Sequence, residues 1–135
     1  MSPRTVFLAR LIGLFAVVLS VSEFVHKEPM VETATALVHD RPLLLVLAML
    51  GLLAGLAMVL AHNIWSGGAL PVVVTLFGWI LLVRSAVLLF LPGDAIVRMI
   101  DFFRFEQLFY LYAAITLLLG LYLSYAGFAA SRLSR

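Results

Sequence analysis

The sequence predicts an all-α membrane protein, a four-helix transmembrane bundle with a short interfacial helix before the fourth span. Three observations predict it. Of 135 residues, 64% are hydrophobic and 12% charged, whereas a soluble domain is roughly half apolar and a quarter charged. Four apolar runs have the ~20 residues that cross a hydrocarbon core of ~30 Å. The connections between them are short, so residues 1–135 read as a single transmembrane domain with no separate soluble unit. The expected spans are approximately 5–26, 42–62, 71–91 and 106–130.

The first run, Val6 to Val25, is broken only by Arg10 and Glu23. A cleaved signal peptide is the rival reading: Arg4 and Arg10 as a basic start, Leu11 to Leu19 as its apolar centre, Ser20-Val21-Ser22 as a small-residue cleavage site. Phe24 and Val25 continue the run past that site, which favours a retained helix. Lys27 to Arg41 follows as a connection. Pro29 suits a first helical turn, and Met30, Thr33, Ala34, Leu37 and Val38 recur at helical spacing, so a surface helix and a plain loop both fit.

Pro42 opens the second run, Leu43 to Ala61, which carries no charge. Its Gly51-Leu52-Leu53-Ala54-Gly55 is a GxxxG pattern, which permits close helix approach and is expected here to pack within the bundle. The third run, Pro71 to Leu91, closes at Pro92-Gly93. Asp94 is then an expected N-cap. Ile96, Met99, Ile100 and Phe103 share one face of the segment it opens, opposite Asp94, Arg98 and Asp101, the pattern of an interfacial helix. The fourth run, Leu108 to Ala130, is flanked by aromatic clusters at both ends, as spanning helices are.

The stretch on which the chain turns is His62-Asn63-Ile64-Trp65-Ser66-Gly67-Gly68. It joins the second and third spans and must make them antiparallel neighbours. His62 and Asn63 read as a helix C-terminus, and Trp65 as an interfacial indole. Thr75 and Trp79 lie one helical turn apart in the next span, where the Trp79 N–H needs a partner inside the protein. His62, Asn63, Trp65, Thr75 and Trp79 form a candidate interface motif. His62-Asn63-Ile64-Trp65, Thr75-Leu76-Phe77-Gly78-Trp79, Arg84, Ser85 and Pro92 together resemble a pattern found in small, uncharacterised four-span bacterial membrane proteins. That resemblance covers about 30 residues. It implies a bacterial inner-membrane location and supplies no activity.

A second group is a candidate intramembrane polar site. Antiparallel spans bring Glu23, His26, Arg84, Glu106 and Gln107 toward one leaflet. An arginine roughly 10 Å inside a span is costly. It is expected either to snorkel to the headgroups or to pair with Glu23 or Glu106, and a pair would serve helix register or an ion pathway.

Enzyme and cofactor chemistry is not expected. The chain has no cysteine, which removes thiolate sites and nucleophiles. Glu23-Phe24-Val25-His26 is one half of a di-iron Glu-x-x-His pair, and the second half is missing. His26 and His62 fall at opposite membrane faces, so they cannot clamp one haem. His62 has Ser66 nearby but no orienting acid. No metal, cofactor or nucleic-acid partner is expected. The function expected is that of a small accessory or scaffold subunit in contact with the bilayer, packing with itself or with a larger membrane complex. An ion or small-solute transport element using the Glu/Arg group is the alternative.

Orientation rests on Lys and Arg. Arg4, Arg10, Arg132 and Arg135 lie on the side of the termini, and Lys27, Arg41, Arg98 and Arg104 on the other. The tie is broken by the first span, whose start carries two arginines, so both termini are expected in the cytoplasm.

Overall fold

The computed structural model describes residues 2–102 and 107–132. These form six helices: α1 (Pro3–Val25), α2 (Lys27–His39), α3 (Arg41–Ala61), α4 (Ala69–Phe90), α5 (Gly93–Phe102) and α6 (Phe109–Arg132). Four of them, α1, α3, α4 and α6, are long and apolar enough to cross a membrane. They alternate in direction, so the ends of the chain and residues 62–68 share one face, here called the terminal face. Helices α2 and α5 lie at the opposite face.

Local signals set the boundaries. Ser2 caps α1, its Oγ accepting from the Thr5 N–H at 3.2 Å, and Pro3 occupies the first turn, where no N–H is needed. Asp40 caps α3 through the Leu43 N–H at 3.1 Å, with Pro42 in the first turn. The connection after α1 resolves as a helix, Lys27–His39, rather than a loop. Along it Met30, Ala34, Leu37 and Val38 are half-buried and Glu32 and His39 exposed. α5 starts at Gly93 rather than from an N-cap at Asp94. Pro92 C=O accepts from both Ala95 and Ile96, which places Asp94 inside the first turn. Its amphipathic pattern holds at Ile96 (buried) and Met99 (half-buried), opposite the exposed ion pair Arg98–Asp94 at 2.9 Å. Phe103 lies outside the described residues.

Packing is concentrated in two antiparallel pairs, α1 with α6 and α3 with α4. In the first pair the seam is made of small residues. Thr5, Ala9, Gly13, Ala16 and Ser20 are buried along α1, and Ala113, Gly120 and Gly127 along α6. A Cβ at Gly13 would sit 2.5 Å from the Ser124 backbone nitrogen, and one at Gly120 would sit 2.9 Å from that of Val17. The backbones are therefore in near contact, the arrangement that drives helix association in lipid, where dispersion replaces the hydrophobic effect. In the second pair, Gly55 meets the Leu82 backbone, Gly51 meets Ser85, and Gly78 meets Met58 and Val59. The Gly51/Gly55 pattern thus packs inside the chain. The two pairs join mainly toward the terminal face, where Ala9 and Leu123 of the first cluster with Leu70 and Val74 of the second.

The α3–α4 contacts also fix a stagger. By the register of Gly55 against Leu82 and Gly78 against Met58, Ala61 lies level with about Thr75, roughly 9 Å from the start of α4. The chain from His62 onward must then climb beside the first two turns of α4 without being helical. At the other face Arg41 projects roughly 8 Å beyond Phe90, and α2 and α5 pack around that projection.

Candidate functional site

Non-helical backbone beside α4 faces the central constraint of a membrane protein: its N–H and C=O groups need partners that lipid cannot supply. The polar motif provides them. Thr75 is buried, and its Oγ1 accepts from the Ile64 N–H at 3.0 Å while donating to the Ile64 C=O, also at 3.0 Å. One hydroxyl therefore serves both backbone groups of a residue eleven positions earlier. His62, 3% exposed, continues from the last turn of α3, its N–H bonding Met58 C=O at 2.7 Å. Its imidazole turns to α4 instead of back onto its own helix: Nε2 lies 3.2 Å from the Pro71 carbonyl. A carbonyl only accepts, so Nε2 is the donor in this hydrogen bond. The Nδ1 of the same ring is buried without a partner among the described residues.

Asn63 completes the latch from the exposed side. Its Oδ1 accepts from the Trp65 indole at 2.7 Å and from the Trp79 indole at 3.4 Å. The five motif residues thus form one set of contacts binding the ascending segment to α4. Gly67 and Gly68, at φ 89° and 114°, make the turn into α4 in a region that residues with a Cβ rarely adopt. Trp79 departs from the reading that turns it inward. Its N–H finds a carbonyl within the protein, yet the ring is 38% exposed on the outer side of α4.

Glu23 and Arg84 are not brought together. Arg84 is exposed on α4 and makes no ion pair with Glu23. The reason is the pairing of helices: Glu23 belongs to the α1–α6 pair and Arg84 to the α3–α4 pair, and the two meet mainly at the terminal face. Glu23 is half-buried, its Oε2 enclosed without a hydrogen-bond partner among the described residues. His26 is exposed at the α1–α2 junction and Gln107 is exposed in a turn before α6. Glu106 lies outside the described residues. Among the described residues there is no group of three or more metal-ligating side chains.

Two features of the site went unread in the sequence. Arg10, inside α1, donates from Nε to the Gly127 carbonyl at 3.1 Å and sets its guanidinium 4.6 Å from the Phe128 ring centre. It thus ties α1 to α6 within the span. At the opposite end Phe24 stacks on Tyr110 at 5.9 Å, with the Lys27 ammonium 4.8 Å from the same ring. The signal for the seam itself was present: Ala113, Gly120 and Gly127 repeat every seven residues, as do Ala9 with Ala16 and Gly13 with Ser20, the period of a packed helix seam.

Comparison with protein-family models, curated proteins and solved structures finds no match to this chain.

Proposed function

We propose that the chain is a non-enzymatic accessory or scaffold subunit of a bacterial inner membrane, packing with itself or with a larger membrane partner, both termini in the cytoplasm. The observation that carries this reading is the direction of its polar groups. His62, Asn63 and Thr75, the residues that most resemble chemistry, are engaged with the chain's own backbone and indoles. What the protein offers outward is apolar helix surface, including Phe15 and Val18 on α1 and Leu50 and Leu53 on α3. A unit of this kind recognises other hydrophobic helices and lipid. The resemblance of the His62–Trp79 stretch to small bacterial four-span proteins supports the location, and Arg4 and Arg10 at the start of α1 support the orientation.

Photo-crosslinking side chains placed at Val18 and at Leu53 in living cells test the subunit reading. A discrete protein adduct from either position is expected; adducts to lipid alone would contradict it. Reporter fusions at both ends test the orientation, which fails if either reports a non-cytoplasmic location. A transport element is the second reading. The observation in its favour is the enclosed Glu23 Oε2, which has no hydrogen-bond partner among the described residues. It calls for flux in liposomes that Glu23→Gln abolishes.

A further inference from the structure

From its exposed guanidinium and the groove around it, we infer that Arg84 marks a binding site for one phospholipid, the phosphodiester on the arginine and an acyl chain along the outer face of α4. This does not rest on the accessory-subunit reading. Arg84 lies about 9 Å from the end of α4 at Phe90, exposed, and has no ion-pair partner among the described residues. A cation at that depth without a counter-charge is strongly disfavoured unless an anion comes to it or it reaches one. No described residue supplies an anion here. The bilayer supplies one in every phospholipid of the leaflet.

The surroundings fit the rest of that molecule. Arg84 sits in a groove of about 570 Å³ with Leu76, Ile80, Val83 and Val87 of α4 and Met99 of α5. This volume is typical of small-molecule sites, roughly 300–1,000 Å³. From Val87 to Leu76 the groove runs about 16 Å along α4, which matches one leaflet of a ~30 Å core. Met99 brings the interfacial helix to the groove, and Arg84 stands between that end and the deeper apolar floor. An acyl chain lying on Ile80 and Leu76 would place its ester and phosphate toward Arg84. A guanidinium presents several N–H donors in a plane suited to phosphate oxygens.

The test is native mass spectrometry of the purified full chain after delipidation, titrated in mixed micelles with phosphatidylglycerol or with diacylglycerol of the same acyl chains. Wild type should retain one phosphatidylglycerol and should hold diacylglycerol more weakly by about tenfold or more, the size of a lost charge-assisted hydrogen bond. Arg84→Met should lose the preference for phosphate. Ile80→Trp, which fills the groove and keeps the charge, should weaken both lipids. Circular dichroism on each variant separates loss of the site from loss of the fold. Equal retention of the two lipids by wild type would overturn the proposal, as would unchanged phosphatidylglycerol retention in folded Arg84→Met.

Discussion

Thr75→Val removes one hydroxyl and keeps the β-branched shape, so its effect isolates the latch. In the native chain that hydroxyl accepts from the Ile64 N–H and donates to the Ile64 C=O, each at 3.0 Å. Without it, both groups lose their partner beside a helix that lipid surrounds. An unsatisfied buried backbone group costs about 1–3 kcal/mol. Ile64 is half-buried, so water can relieve part of this, and about 2 kcal/mol is expected for the pair of groups. Side-chain hydrogen bonds between membrane helices average only ~0.6 kcal/mol, because the unfolded chain finds other partners. The two magnitudes therefore separate a backbone latch from an ordinary polar contact. Unfolding titrated with SDS in mixed micelles reads the stability, and amide hydrogen exchange at Ile64 reads the local opening. Thr75→Ser, which keeps the hydroxyl, should retain most of the stability and the slow exchange. If Thr75→Val unfolds within about 0.5 kcal/mol of wild type and the Ile64 amide stays protected, the hydroxyl does not hold the ascending segment and the latch is wrong.

Gly13→Val should part the first helix pair, because its Cβ would meet the backbone of Ser124 and Gly120, which cannot swing aside, as well as the Ser124 hydroxyl; overpacking of this kind costs about 1–3 kcal/mol, read by the same SDS titration, and an unchanged midpoint would refute the seam. Asn63→Ala should release both indole N–H groups at once, seen as altered tryptophan emission in detergent, whereas an unchanged spectrum would mean that Asn63 does not hold them. At α5, the hydrogen bond and charge of Arg98 hold the Asp94 carboxyl below the usual aspartate range. A lowered folded-state pKa stabilises above the unfolded value and loses that contribution as pH falls through the folded value. Protection of the α5 amides, taken relative to the intrinsic exchange rate at each pH, should therefore fall in acid below the normal aspartate range, less so in high salt, which already screens this exposed pair; protection unchanged on acidification would refute the pair's role.

Periodicity and run length made the four spans legible, because hydrocarbon thickness and backbone satisfaction leave few alternatives for long apolar segments. The amphipathic α5 was legible for the same reason: Ile96 and Met99 fall opposite Asp94 and Arg98. Lys27 to Arg41 was ambiguous since its apolar face is weak, and in the structure none of α2 is fully buried. The latch was half legible. His62, Asn63, Trp65, Thr75 and Trp79 stood out as a set, but their purpose depends on the stagger of α3 against α4. That stagger is decided by where Gly55 and Gly78 let the backbones close, and no local pattern states it. Arg84 and Glu23 share a leaflet, as the topology implied, yet leaflet is not proximity. Which helix pairs with which was written in the small residues of α1 and α6, spaced by seven rather than as the four-residue Gly51-x-x-x-Gly55 repeat.

Under the proposed function this chain serves by packing against other membrane-embedded surfaces. The most direct measurement is the mass of the assembly isolated from its native membrane in mild detergent, by native mass spectrometry with each component identified. A defined complex heavier than the 14.8 kDa chain is expected, with fixed stoichiometry of self or partner, reduced when Val18 and Leu53 are both replaced by bulky polar residues. A lone chain carrying only lipid, with ion flux in liposomes that depends on Glu23, would contradict it.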